Sequence, residues 1–578
     1  MSDPIVPFSD RGAQWESPRR ESPRPGRPRR GRRRIVIIVV VSVLVLALAV
    51  GGAGYLLLRT VGSPQQTAAS YLAAWQKSDY PAMDQISVGK PAGGLAAPLR
   101  LAATQLGVRH LRLVLGRVTQ SGGSASAGFT ATAGLASGHV WTYRGQLALV
   151  KRNRHWWVSW SPAAIYPALR PGERFVLSAV WPARGQVLAS DGTVLSSPTA
   201  IAESGSISLL TGNVVAATAA QANVLGAPYL KGDLIGQGGI EQAYQSLLAG
   251  RPALIIRIEG PGKKVDATAM RFPATPGHNV QTSLNMRYQL AAAHAVSSAA
   301  TAKPVDMVVL QPSTGRVLAV IERPGGFDRA LQGIFPPGST FKVVTASALT
   351  KKGLRPSTTV QCPPTVDIGG RTFHNFDNEH LGTTSLLNAF AVSCNTTFAM
   401  LASQHLTGPA LRSMAEEFGF NKKPALGIPA VLGKFSTPHQ PVDLAADAFG
   451  QGTDLVNPLS QAAEAAAVQN GTWRPPQLVI SPAPQQSAQP HKLSSALLNT
   501  LRPMMRAVVT SGTAAGVGLP PGVYGKTGTA EYGSGSNPPS HAWFIGYRGN
   551  LAFAVLVEGG GVGADASAPI ANAFLRKL

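Results

Sequence analysis

The apolar pattern along the chain falls into distinct stretches. Residues 1–34 show no apolar periodicity and predict no element. Residues 35–58 are then almost uninterruptedly apolar, 24 in a row and enough to cross about 30 Å of hydrocarbon as one helix. After a short Gly62-Ser63-Pro64 linker, Ala68, Ala69, Tyr71, Leu72 and Trp75 recur at helical spacing. Farther on, residues 140–149 and 156–160 alternate as strands do, with Lys151-Arg152-Asn153-Arg154 as the turn between them. From 175 to 284 the chain is rich in Gly, Val and turn residues. There, Arg184-Gly185-Gln186-Val187 followed by Asp191-Gly192-Thr193-Val194-Leu195 reads as a hairpin on an Asp-Gly turn, and Gly236 opens a short helix running through Leu248 to Gly250.

The last stretch mixes both periods. Residues 306–320 predict two strands around Ser313-Thr314-Gly315, and a helix starts at Ser339. Val343, Val344, Ala346 and Leu349 give that helix a buried stripe, and Gly353 with Pro356 stops it. Residues 386–469 are helix-rich. Strands return at 524–532, 542–547 and 551–558, and a terminal helix is expected from Pro569. Helices set between strands of one antiparallel sheet make this region α+β. The pattern divides the chain at 1–34, 35–58, 62–165, 166–285 and 286–578, several domains for 578 residues, as expected where single cores seldom exceed roughly 300 residues.

Composition changes this picture at one end. At 44% hydrophobic and 14% charged the chain can fold, yet it carries a net charge of +24. Residues 1–34 hold ten arginines against four acidic residues, so +18 of that charge lies elsewhere. An arginine block directly before the apolar run places that end in the cytoplasm and everything after the run outside. Ala47-Leu48-Ala49 is compatible with a cleaved signal, but the run continues past it through Tyr55-Leu56-Leu57-Leu58, which favours an uncleaved single-pass anchor. No basic helix with interleaved aromatics and no finger spacing supports nucleic acid as the partner. Of the remaining readings, a membrane surface or another polyanion, the basicity suits a polyanionic envelope best.

Candidate chemistry begins at Pro336-Pro337-Gly338-Ser339-Thr340-Phe341-Lys342. One helical turn puts Lys342 on the face of Ser339, so an amine reaches a hydroxyl at a helix N-terminus that favours negative charge. The spacing alone is weak, because Ser87 and Lys90 repeat it where no such helix is expected. Ser339 differs in its company: Ser393-Cys394-Asn395 follows an apolar helical stretch and Lys526-Thr527-Gly528-Thr529 falls on an expected strand, in the same domain. That order of three motifs is specific. The eleven histidines include no His-Glu-x-x-His, and neither a metal nor a cofactor is expected. Cys362 and Cys394 are the only cysteines; outside the cell they can pair, or Cys394 can simply pack as a small side chain behind the site.

With these motifs the chain resembles the penicillin-binding proteins and serine β-lactamases, and most closely a class B penicillin-binding protein, a monofunctional D,D-transpeptidase. The likeness extends through Phe327-Asp328-Arg329-Ala330, Gly450-Gln451-Gly452, Asn457-Pro458-Leu459, Asn470-Gly471-Thr472 and Thr510-Ser511-Gly512-Thr513-Ala514. Arg184-Gly185 and Gly238-x-x-Glu241 look like the family's pedestal motifs, suggesting an ion pair between Arg184 and Glu241. The early helices followed by strands, with Trp156-Trp157-Val158-Ser159-Trp160, resemble the nuclear-transport-factor-2-like domain of methicillin-resistance-type members. The chain departs from the family in having Leu188-Ala189-Ser190 where an Asp-Arg pair is usual, and Asp328 where Asn is common.

The resemblance implies a membrane helix, a small α+β domain at 62–165, a β-rich pedestal at 166–285 and a transpeptidase domain at 286–578 whose antiparallel sheet is flanked by helices. It implies Ser339 as nucleophile toward the D-Ala-D-Ala end of peptidoglycan stem peptides and toward β-lactams. Lys342 would be its base, Ser393 a proton relay and Asn395 a holder of Lys342 and substrate. Lys526, Thr527, Gly528 and Thr529 would form the carboxylate and oxyanion subsite. A glycan polymerase of a division or elongation complex is the implied partner. A class D-like β-lactamase and a noncatalytic penicillin-binding scaffold or sensor are the rival readings. The two extra domains and Asn395 weigh against the first, the intact triad against the second.

Overall fold

A computed structural model describes Val45 and residues 61–376, 379–534 and 538–578. The tail at 1–34 and the apolar run at 35–58, Val45 excepted, lie outside the described residues. Among the described residues no helix is long and apolar enough to cross a membrane. Two compact units are present, the smaller built from 61–101, 111–133 and 142–171 and the larger from the remainder.

In the smaller unit, Ser63 caps the helix Pro64–Gln76 through a capping box with Gln66, and a proline opens its first turn. Its buried Tyr71 and Trp75 meet edge to face at 6.4 Å, and Trp75 packs likewise on Phe129. The helix covers a five-stranded sheet whose long strands Val108–Ser121, Ser124–Leu135 and Val140–Arg152 run next to one another. The first two of these escape the hydrophobic pattern. Along Ser124–Leu135 the inward positions are Ala125, Ala127, Phe129, Ala131, Ala133 and Leu135, a strict alternation carried mostly by alanine, which gives little strand signal.

In the larger unit, Arg174–Val180, Ala253–Glu259 and Val265–Phe272 form a three-stranded antiparallel sheet. Nearby, Arg184 and Glu241 make the expected ion pair, guanidinium to carboxylate at 2.6 and 2.9 Å, with Gln245 accepting from the same guanidinium at 2.9 Å. The hairpin at 184–195 reduces to the pair Val187–Leu188, which bridges Val194 and joins Val280 in parallel. The helix expected from Gly236 to Gly250 is two short ones, Gly239–Ala243 and Gln245–Ala249, meeting at the non-helical Tyr244.

The site is held by a five-stranded antiparallel sheet ordered Arg316–Arg323, Val305–Gln311, Leu551–Val557, Ser540–Arg548, Tyr524–Glu531. Val305 to Leu310 and Ala552 to Val557 are buried at every position, so both faces of the sheet are covered. Pro458–Asn470 packs on its central strands, and Met286–Ser297 and Gly563–Lys577 pack on its strands and on each other. The terminal helix begins at Gly563, not at Pro569, and Gly563 lies so close to the carbonyls of Gly528 and Trp543 that a Cβ there would sit 2.5 and 2.2 Å from them. Pro569 is taken up inside the helix. Tyr524–Glu531 is the edge strand, and the helix carrying Ser339 lies against it.

Candidate active site

Gly338 turns the chain into the helix with φ +54°, and a Cβ there would stand 2.4 Å from the Thr529 carbonyl oxygen, so the turn and the edge strand meet through glycine. Gly528 completes this close approach from the strand side, since its own Cβ would fall 2.9 Å from the Pro337 carbonyl. Thr340 ties the turn down by donating to that carbonyl at 2.9 Å. The first turn, Gly338–Phe341, is 3₁₀ and runs on as the α-helix Lys342–Lys351. Lys342 through Leu349 are all buried, so the expected stripe is a helix enclosed on every side.

Lys342 is fully buried and its amine faces four oxygens: Ser339 Oγ at 2.9 Å, the Ser393 carbonyl at 2.5 Å, Asn395 Oδ1 at 2.6 Å and Ser393 Oγ at 3.3 Å. Lys526, also fully buried, donates to Ser393 Oγ at 2.8 Å and to the Thr527 carbonyl at 3.0 Å. The Ser393 hydroxyl therefore lies between the two amines. Ser393 itself holds φ +67°, a left-handed conformation that costs a non-glycine residue about 1 to 3 kcal/mol. Thr527 Oγ1 shares a hydrogen bond with Thr513 Oγ1 at 2.6 Å.

Among the described residues no carboxylate forms an ion pair with either amine, and the acidic group that acts on them, Glu379, is outweighed by burial. Burial, joined by the charge of Lys526, pushes Lys342 well below an ordinary lysine, against a smaller opposing pull from Glu379. Burial likewise lowers Lys526 to about 7, with Glu379 again opposing. A neutral amine beside a serine hydroxyl is what base-assisted attack requires.

Ser339, Ser393, Asn395, Thr527 and Thr529 open onto one cavity of about 670 Å³, with Lys342, Lys526 and Gly528 behind its wall. All eight residues singled out in the sequence thus gather at one place. Ser87 and Lys90 do not join them: Ser87 donates to the Met83 carbonyl at 2.7 Å and Lys90 to the Asp84 carbonyl at 2.6 Å.

Several groups at the cavity were not marked as site residues from the sequence. Gln451 is one; oriented to satisfy its neighbours, its amide accepts from the Glu531 N–H at 3.0 Å and donates to the Glu531 carbonyl at 3.2 Å, pairing with the edge strand as another strand would. Phe376 and Glu379 also line the cavity. Gly450-Gln451-Gly452 was visible as a motif, whereas nothing in the sequence pointed to 371–379. Cys362 and Cys394 are joined as a disulfide, which ties the loop of Ser393 to the strand Thr359–Cys362.

Residues 306–576 match the penicillin binding protein transpeptidase domain, and residues 63–173 the NTF2-like N-terminal transpeptidase domain. The peptidoglycan D,D-transpeptidase PbpA of Mycolicibacterium smegmatis is 31% identical over 399 residues, covering 58% of this chain and 78% of the relative. The chain belongs to the penicillin-binding-protein transpeptidases. PbpA of Mycobacterium tuberculosis is 31% identical over 52% of this chain and 72% of its own length. The crystal structure of Pseudomonas aeruginosa PBP2 in complex with WCK 5153 superposes with a TM-score of 0.58 at 24% identity, over 69% of this chain and 96% of that one. PBP2 of Helicobacter pylori, solved in complex with MreC, gives 0.59 at 18% identity over 70% and 99%. These two share the fold. Membership of this family makes the chain a serine acyl-transfer enzyme of the peptidoglycan D,D-transpeptidase kind, with a mixed α+β multidomain architecture.

Proposed function

We propose that Ser339 forms the acyl-enzyme of a peptidoglycan cross-linking reaction, and that the contact carrying this reading is the buried Lys342 amine at 2.9 Å from Ser339 Oγ. With two N–H groups spent on the Ser393 carbonyl and Asn395 Oδ1, the neutral amine keeps its lone pair for the Ser339 hydroxyl. Lys342 takes that proton as Oγ attacks the carbonyl between the two terminal D-alanines of a stem peptide. The backbone N–H groups of Ser339 and Thr529 face the developing oxyanion, where one donor is worth about 2.7 to 4 kcal/mol.

Ser393, bridging both amines, returns the proton to the departing D-alanine. Lys526, Thr527 and Thr529 receive the substrate's terminal carboxylate, whose arrival restores the charge that burial takes from Lys526. Gly528 serves by its smallness. The amine of a second stem peptide then attacks the ester, forming the cross-link and freeing Ser339. β-Lactams acylate the same oxygen.

The apolar run at 35–58 anchors the chain once in the membrane, residues 1–34 lie in the cytoplasm, and the domains at 62–165, 166–285 and 286–578 work outside. A glycan polymerase or scaffold of the elongation or division machinery is the partner. This is supported by fold relatives solved in such settings, one titled as a peptidoglycan synthase complex coordinating polymerization and crosslinking and another as PBP2 with MreC.

The test is a donor stem peptide ending in D-Ala-D-Ala, supplied with an amine acceptor and the full-length protein. Cross-linked product with one D-alanine released per link is expected. Rapid turnover of penicillin with no cross-link would turn the reading toward a hydrolase.

A further inference from the structure

Ser393 stays in its left-handed conformation only because its surroundings fix it, and the fixing groups can be named. Just after it, Cys394 is covalently bound to Cys362. The next turn is gripped by backbone carbonyls of the same neighbouring segment: Thr396 Oγ1 donates to Pro363 at 2.7 Å and Thr397 Oγ1 to Gln361 at 2.7 Å.

One side chain gathers these segments. Asn375 is 2% exposed, and its amide accepts from the Thr396 N–H at 3.0 Å while donating to the carbonyls of Pro363 at 2.8 Å and Glu379 at 2.7 Å. Its amide nitrogen also lies 3.2 Å from Thr396 Oγ1. Every donor and acceptor of a fully enclosed amide is thus committed, and such a network fixes position closely.

The consequence reaches the site through the preceding residue. The His374 carbonyl accepts from Asn395 Nδ2 at 3.3 Å, and Asn395 Oδ1 is the atom 2.6 Å from the Lys342 amine. An amide has one oxygen end and one nitrogen end, so a carbonyl at the nitrogen end directs the oxygen to Lys342. We propose that Asn375 is a positioning residue for acylation: by fixing the His374 carbonyl and the start of the helix Asn395–His405, it holds Asn395 with its oxygen on Lys342 and Ser393 between the two amines. Asn375 touches neither the reacting atoms nor the cavity and acts through Asn395. This rests on Ser339 being the nucleophile.

Asn375→Ala removes the whole network. Asn375→Asp keeps the shape and the acceptor for Thr396 but loses both donations, and it carries the test should the alanine variant fail to fold. Full-length protein in detergent is labelled with a fluorescent penicillin over a range of concentrations, giving the saturating rate, the half-saturating concentration and the final labelled fraction. In each variant the saturating rate should fall on the order of tenfold with half-saturation and labelled fraction unchanged, as misplacement of a reacting group predicts. In an Asn395→Ala background the same substitution should cost less than about twofold, since coupled residues are not additive. A wild-type rate would overturn the proposal. So would a loss confined to the labelled fraction, or an undiminished effect in the Asn395→Ala background. Absence of labelling in the unaltered protein would overturn the nucleophile assignment instead.

Discussion

This protein contains the same four-residue spacing twice, and in only one copy does the lysine amine meet the serine hydroxyl. Ser87 begins a two-residue strand, Ser87–Val88, so a residue three places on shares no helical face with it. Its hydroxyl is occupied by the Met83 carbonyl, and Lys90, a third exposed, rests on Asp84, with 3.6 Å between amine and carboxylate. Ser339 begins a helix, so Lys342 arrives on its own face, inside the protein, beside a second buried amine. Spacing supplies the candidates. Under the proposed function, backbone conformation and desolvation decide which pair reacts.

The difference can be broken most severely at the serines. Ser339→Ala should abolish covalent labelling by a fluorescent penicillin, whereas Ser87→Ala should label at the rate of the unaltered protein. At the lysines the contrast should be nearly as large. Lys342→Met removes the proposed base and should slow acylation about a thousandfold, within the range for general-base loss. Lys90→Met should change the rate less than twofold, the limit expected of a partly exposed ion pair with no bond to the residues of the site. Thermal melting should show Lys342→Met to be no less stable than the parent, because an apolar chain of similar length replaces a desolvated amine.

The pH dependence of acylation sharpens the comparison further. With Lys342 as the proposed base, acylation needs its amine without a proton, so the rate should fall toward acid as the amine is protonated. In the free protein Lys526 sits at about 7, so above that pH the rate with a carboxylate-bearing β-lactam falls as the Lys526 charge is lost. Lys526→Arg keeps its charge and should move the alkaline limb upward in a measured pH–rate profile. The smallest effect belongs to the first pair. Ser87→Ala leaves the Met83 carbonyl without its buried donor and should cost about 1 kcal/mol of unfolding free energy, read by denaturant titration.

Much of this was legible in the sequence because motif order encodes it. Ser339 and Lys342 sit at the expected helix start, Ser393 and Asn395 follow a helix as expected, Lys526 lies on the expected strand, and the five meet in space. Partners that act through backbone atoms were not legible. The His374 carbonyl has no residue signature, and Asn375 lies in a stretch with no periodicity. Gln451 works by imitating a strand edge, which no local pattern announces. The cysteines were visible, but their 6.2 Å Cα separation follows from the tertiary fold. In the smaller unit, alanine at inward positions concealed the strand Ser124–Leu135, and at the C-terminus the proline falls inside the helix, not at its start.

The most direct measurement is adduct mapping: full-length protein is saturated with penicillin, digested, and every peptide weighed by mass spectrometry. A single penicilloyl group on the peptide carrying Ser339, with the Ser87 peptide unmodified, is the predicted result. An adduct on any other residue while Ser339 remains free would contradict it.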